Sequence, residues 1–156
     1  MIRPFIVAAL LSLSLSGCGG GGAKVQAGPA APTGVYTSAT DCAESEKLSL
    51  SDCSVLIDQA VDMHHQAAKK YISMRLCEAA EGADHCERTE DNQYRPQLQA
   101  FLITFSNPPQ AEPLYASSDK SQPGFQTNNK GRMLLAVDET LLFSKNARFV
   151  AASNGE

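Results

Sequence analysis

From Cys53 to Tyr71 the chain repeats apolar positions at helical spacing: Cys53, Leu56, Ile57, Ala60, Val61, Ala67, Ala68 and Tyr71, with His64 in the same seam. A seam that advances by three and four residues lies on one side of an α-helix, so the pattern predicts a helix of about six turns. Ser49-Leu50-Ser51-Asp52 stands before it with the spacing of a capping box, and Asp52 and Asp58 near the start and Lys69 and Lys70 near the end suit the helix dipole. Ser73 then offers a second N-cap and Gly82 a stop, which predicts a short helix over Met74–Glu81. After Asn92 the period becomes two. Phe101, Ile103 and Phe105 fall on one face of a strand over Leu98–Ser106, ended by Asn107-Pro108-Pro109. Leu114–Ser117 is a second strand. Arg132–Val137 is a third, forming a hairpin with Phe125-Gln126-Thr127 across the turn-rich Asn128–Gly131. Leu141–Phe143 and Phe149-Val150 are ambiguous between the two periods. The apolar face of the sheet needs a cover, which the amphipathic helix supplies. The expected fold is therefore α+β: a small disulfide-stapled domain with one long amphipathic helix and a short helix packed on a small antiparallel sheet.

A different apolar run occupies the N-terminus. Arg3 precedes Pro4–Leu15, rich in Ile, Val, Ala and Leu, and Leu15-Ser16-Gly17-Cys18 closes the run. It is shorter than the about 20 apolar residues that a spanning helix needs. With small residues directly before a cysteine, it reads as a lipoprotein signal peptide, residues 1–17, cut so that Cys18 carries acyl chains such as palmitate. Residues 18–34 then form the lipid anchor and a flexible Gly/Ala/Pro tether, with a reach of roughly 20–24 Å. Residues 35–150 form the globular domain and residues 151–156 a C-terminal tail. Gly19 rather than Asp after Cys18 points to the outer membrane, with the domain in the periplasm.

Charge narrows the partners. Removing residues 1–17 of 156 leaves 139, with 12 Lys plus Arg against 17 Asp plus Glu, a net charge of −5. That length fits one domain and a tether. Nucleic acid is excluded, because phosphate backbones call for clustered Lys and Arg, whereas the basic residues here are scattered singly or in pairs such as Lys69-Lys70. The expected partners are the membrane, through the lipid, and another envelope protein. The Gly-rich run is not a phosphate loop, since no strand precedes it and no helix start follows.

Four more cysteines follow: Cys42, Cys53, Cys77 and Cys86. An even count in an exported chain predicts two disulfides. A zinc site with His64, His65 and His85 is the weaker reading, because no Cys-x₂-Cys or His-x₃-His pair occurs. No metal or cofactor is expected. Cys53 lies roughly 27 Å from the far end of the predicted long helix, too far for a bond to Cys77. Two pairings remain open, the local set (Cys42–Cys53 with Cys77–Cys86) and the crossed set (Cys42–Cys77 with Cys53–Cys86), and the local set is favoured. His64, within the apolar seam, reads as a packed core residue.

The order of these residues carries a resemblance. An anchor cysteine, Tyr36, Asp41-Cys42, Cys53, Ala60, Lys70-Tyr71, Cys77, Gly82 and Cys86, then Pro113–Ser117 and the Gly124 and Gly131 region, resemble the YgiB/YjfM lipoproteins, whose domain has no assigned function. The resemblance spans Tyr36 to Gly131. This chain lacks that family's long Gln, Gly and Met-rich insertion and its Ser/Thr-rich tail. No Gly-x-Ser-x-Gly, His-Glu-x-x-His or phosphate-loop motif is present. The expected function is a tethered, non-enzymatic interaction or scaffold module. The alternatives are a lipoprotein binding a small or cell-wall ligand, with Tyr94, Arg95 and Tyr115 as candidate surface and Pro108–Tyr115 as a loop, and a hydrolase using His64 or His65 with Asp58 or Asp62.

Overall fold

A computed structural model of the chain describes residues 30–155. The expected signal peptide, Cys18 and most of the expected tether lie outside the described residues. β1 (Thr33–Tyr36) opens the domain, followed by α1 (Ala39–Ala43), α2 (Leu50–Ala67) and α3 (Met74–Glu81). Then come β2 (Cys86–Arg88), β3 (Tyr94–Pro96), β4 (Leu98–Thr104), β5 (Gln110–Ala116), β6 (Gly124–Thr127), β7 (Met133–Leu135), β8 (Leu142–Phe143) and α4 (Lys145–Ser153). The main sheet runs β7-β6-β5-β4-β1-β8, and β2 pairs with β3 in a separate ribbon. The class is α+β, as expected. The sheet is larger than expected and mixed, because β8 runs parallel to β1 while the other neighbours are antiparallel.

Side chains alternate between the two faces of a strand, and here both faces are covered. Tyr36, Phe101, Ile103 and Ala111 meet Cys42, Cys53, Leu56 and Ala60 of α1 and α2. Val35, Ala100, Leu102, Leu114, Phe125 and Leu134 turn the other way, onto Ala147 and Ala151 of α4. Phe105, just past the end of β4, packs with Phe101 and Ile103 as its spacing predicts. The second cover was hidden in the sequence for a physical reason: α4 buries only alanines, and its largest apolar side chain, Phe149, is 76% exposed.

The predicted helix starts hold. Ser49 Oγ accepts from the Asp52 N–H at 3.1 Å and donates to the Asp52 carboxylate at 2.7 Å. Ser73 Oγ accepts from the Leu76 N–H, and Gly82 ends α3 at φ 108°, where a side chain would be strained. The end of α2 differs. The helix stops at Ala67, one turn short of Tyr71, because Ala68 is already extended, the Asn128 amide caps the Ala67 carbonyl at 3.0 Å, and Tyr71 exchanges both backbone hydrogen bonds with Tyr94. These tertiary bonds outweigh the local preference for continuing the helix.

Four further expectations are corrected. Thr33 and Gly34 belong to β1 rather than to the tether, since Gly34 and Val35 pair with both β4 and β8. Residues 151–153 belong to α4, with Ala151 fully buried. The third strand is trimmed to Met133–Leu135. Most of the expected Pro108–Tyr115 loop is β5, paired with β4 from Gln110 to Tyr115. Pro113 is tolerated there because pairing with β6 begins only at Leu114.

Both disulfides are local. Cys42–Cys53 ties α1 to α2 with its Cα atoms 6.0 Å apart, and Cys77–Cys86 ties α3 to β2 at 6.2 Å. All four sulfurs are thereby taken from the zinc alternative, which needs thiolates.

Candidate functional site

α2 carries His64 on the same buried side as Cys53, Leu56 and Ala60, aimed at the sheet. Tyr115 comes from β5, and Glu87 and Arg95 face each other across the β2–β3 ribbon as directly paired residues. These elements converge on a continuous hydrogen-bonded chain. Arg95 Nε donates to Glu87 Oε1 at 2.6 Å, and His64 Nε2 lies 3.1 Å from the same oxygen. Tyr115 Oη lies 3.1 Å from His64 Nδ1, and Arg95 Nη1 lies 3.0 Å from His65 Nδ1.

The protons follow from the partners. A carboxylate only accepts, so the His64 hydrogen sits on Nε2 and the Tyr115 hydroxyl donates to Nδ1. Neutral His64 agrees with burial, which is the main cause of its lowered pKa. Burial alone would raise Glu87, yet the hydrogen bonds from Arg95 and His64 outweigh it and hold the carboxylate below its ordinary range. Tyr115 is pushed up to about 12, first by burial and then by nearby Glu87 and Glu81 against the opposing Arg95.

Of the residues anticipated as a ligand surface, Arg95 and Tyr115 are thus brought together, both as internal partners of His64 and Glu87. Tyr94 engages Tyr71 through its backbone instead. The acid beside His64 is Glu87 from another element, while Asp58 and Asp62 are exposed on α2. Among the described residues, no group of three His, Cys, Asp or Glu side chains is placed to hold a metal.

Behind Tyr115 lies a second feature, a cavity of about 180 Å³ bounded by Tyr71, Glu81, Tyr115, Gln126, Asn128 and Lys130 among others. Glu81 is only 7% exposed. It accepts from the Tyr71 hydroxyl and, at 3.5 Å, from Gln126 Nε2. Gln126 is 2% exposed, and its Oε1 has no hydrogen-bond partner. Glu81 and Gln126 were missed in the sequence, although one signal existed: Glu81 follows Cys77 by four residues, so it shares the buried side of α3.

A disulfide-stapled α+β domain with a sheet covered on both faces is the class that these elements define. The chain belongs to the family described as "Protein of unknown function (DUF1190)", which matches residues 31–153 and is the family of the YgiB-like resemblance. No curated protein and no solved structure matches the chain significantly.

Proposed function

We propose that the chain is an envelope lipoprotein, anchored through lipid on Cys18 and presenting its domain as a tethered, non-enzymatic interaction or scaffold module. The observation that carries the non-catalytic part is the closure of the His64 network. Both ring nitrogens are engaged, and the hydroxyl in reach is a buried tyrosine whose pKa is raised to about 12. A general base instead needs a nitrogen open to a nucleophile or to a water that meets substrate. Leu15-Ser16-Gly17-Cys18 supports the anchor, and Gly19 supports an outer-membrane address facing the periplasm. The partner this arrangement favours is another envelope protein rather than nucleic acid.

The test is His64→Gln, followed by thermal melts beside complementation of a deletion strain. The expected protein is less stable and still complements. Loss of complementation by a His64→Gln protein of unchanged stability and abundance would overturn the non-enzymatic reading. A second reading, a small-ligand-binding lipoprotein, is favoured by the cavity at Glu81.

A further inference from the structure

The Gln126 amide cannot be turned to relieve its unpaired oxygen. Its nitrogen faces the Glu81 carboxylate, which only accepts, so the reversed amide would set oxygen against oxygen. Oε1 is therefore the end left without a donor. That oxygen has less than 1 Å² of accessible surface, so Gln126 acts on the cavity through Nε2, which orients the Glu81 carboxylate. Beside it, Glu81 is a nearly buried carboxylate that forms no ion pair among the described residues. The interior of the cavity thus presents, among the described residues, one carboxylate without an ion-pair partner. Two cations stand at its wall on exposed residues. Lys69 Nζ is 5.0 Å from the Tyr71 ring centre, and Lys130 Nζ donates to the Ala80 carbonyl.

We propose that this cavity binds a small zwitterion of amino-acid size, its ammonium held at the Glu81 carboxylate and its carboxylate turned to Lys69 and Lys130. An ammonium supplies three donors and the countercharge that Glu81 lacks. A simple anion would meet Glu81, a dication would meet the lysines, and an apolar molecule would leave the Glu81 carboxylate without a countercharge. Size agrees, because about 180 Å³ falls below the roughly 300–1,000 Å³ of sites for drug-sized ligands. The site belongs to the domain and does not depend on the anchor.

The experiment titrates the full chain in detergent micelles with glycine, and separately with methylammonium chloride and sodium acetate at matched ionic strength, following backbone and side-chain NMR shifts. Glycine is expected to give saturable shifts at Glu81, Lys130 and the Gln126 side-chain amide, and to bind more tightly than either half-molecule. Glu81→Gln keeps a partner for Tyr71 and should weaken glycine binding by about tenfold or more. Should that variant fold poorly, Lys130→Ala at the exposed edge is expected to weaken glycine and leave methylammonium unchanged. An unmoved Gln126 amide at saturating glycine would mean that water alone fills the site, and it overturns the proposal. So would equal binding by wild type and a folded Glu81→Gln, or methylammonium binding as tightly as glycine.

Discussion

His64 sets a pH dependence that can be read from its surroundings. Its folded pKa lies below the ordinary 6.5, chiefly through burial, with Arg95 and His65 adding to the depression and Glu87 opposing it. The contribution to stability is complete above the unfolded pKa. It is lost as pH falls from about 6.5 through the folded value, because the unfolded chain then binds the proton more readily. Denaturation midpoints should therefore drop between pH 7.5 and pH 5, a range above the ordinary carboxylate pKa values. His64→Gln should flatten that slope while lowering stability at pH 7.5 by about 1–3 kcal/mol, through loss of the hydrogen bonds to Tyr115 and Glu87. An identical slope in both proteins would show that another group titrates. Sequence placed His64 in the buried seam because helical spacing is a local property. It could not supply Glu87 or Tyr115, which arrive from strands 23 and 51 residues away.

Between elements, two crosslinks and one carboxylate add specific ties to the packed core. Each disulfide closes a short loop, with sequence separations of 11 and 9, and should contribute about 2.5–3 kcal/mol. Reduction of both is expected to lower the melting temperature by roughly 10–20 °C for a domain of this size. Alkylation of the oxidised, unfolded chain should leave Cys42, Cys53, Cys77 and Cys86 unlabelled. Asp41 makes a longer reach. It is 5% exposed and accepts from the Thr37 backbone N–H and hydroxyl, from the Ser144 hydroxyl and from the Asn146 amide, so α1 is tied to the N-terminus of α4. Asp41→Ala strands these donors and should cost on the order of 3 kcal/mol by chemical denaturation; a loss under about 1 kcal/mol would show that water replaces the carboxylate. Gly124 is fixed by close approach, since an added Cβ would run into the Leu134 carbonyl oxygen across the β6–β7 pair. The elements that sequence made legible, α2, α3, β4 and the β6–β7 hairpin, each carry a cap, a turn or a full period of their own. β1 and β8 carry none of comparable strength, and α4 has a cap, Ser144 Oγ accepting from the Ala147 N–H at 3.0 Å, without a seam of large apolar residues. β1 and β8 are strands because β4 and β1 pair with them, and α4 is placed by Ala147 and Ala151 together with the Asp41 bonds to Ser144 and Asn146.

At the scale of the whole molecule, the proposed anchor and the folded domain occupy separate parts of the chain. The family match begins at residue 31 and β1 at Thr33, whereas the proposed lipidation site is Cys18. The four cysteines of the domain pair with one another. Cys18→Ser should consequently release the protein from membranes while leaving the domain's melting temperature within about 1–2 °C of wild type, the expectation for a change that removes no core contact. More than one acyl chain is needed for stable anchoring, a condition that the proposed lipid on Cys18 would have to meet. The domain's acidic balance opposes electrostatic attachment to anionic headgroups. Fractionation of the labelled envelope, with a salt wash, separates the outcomes. Recovery of Cys18→Ser in the soluble fraction supports the lipid anchor. Firm membrane retention after the wash would require an attachment other than Cys18, and wild-type protein found wholly in the inner membrane would refute the outer-membrane address read from Gly19.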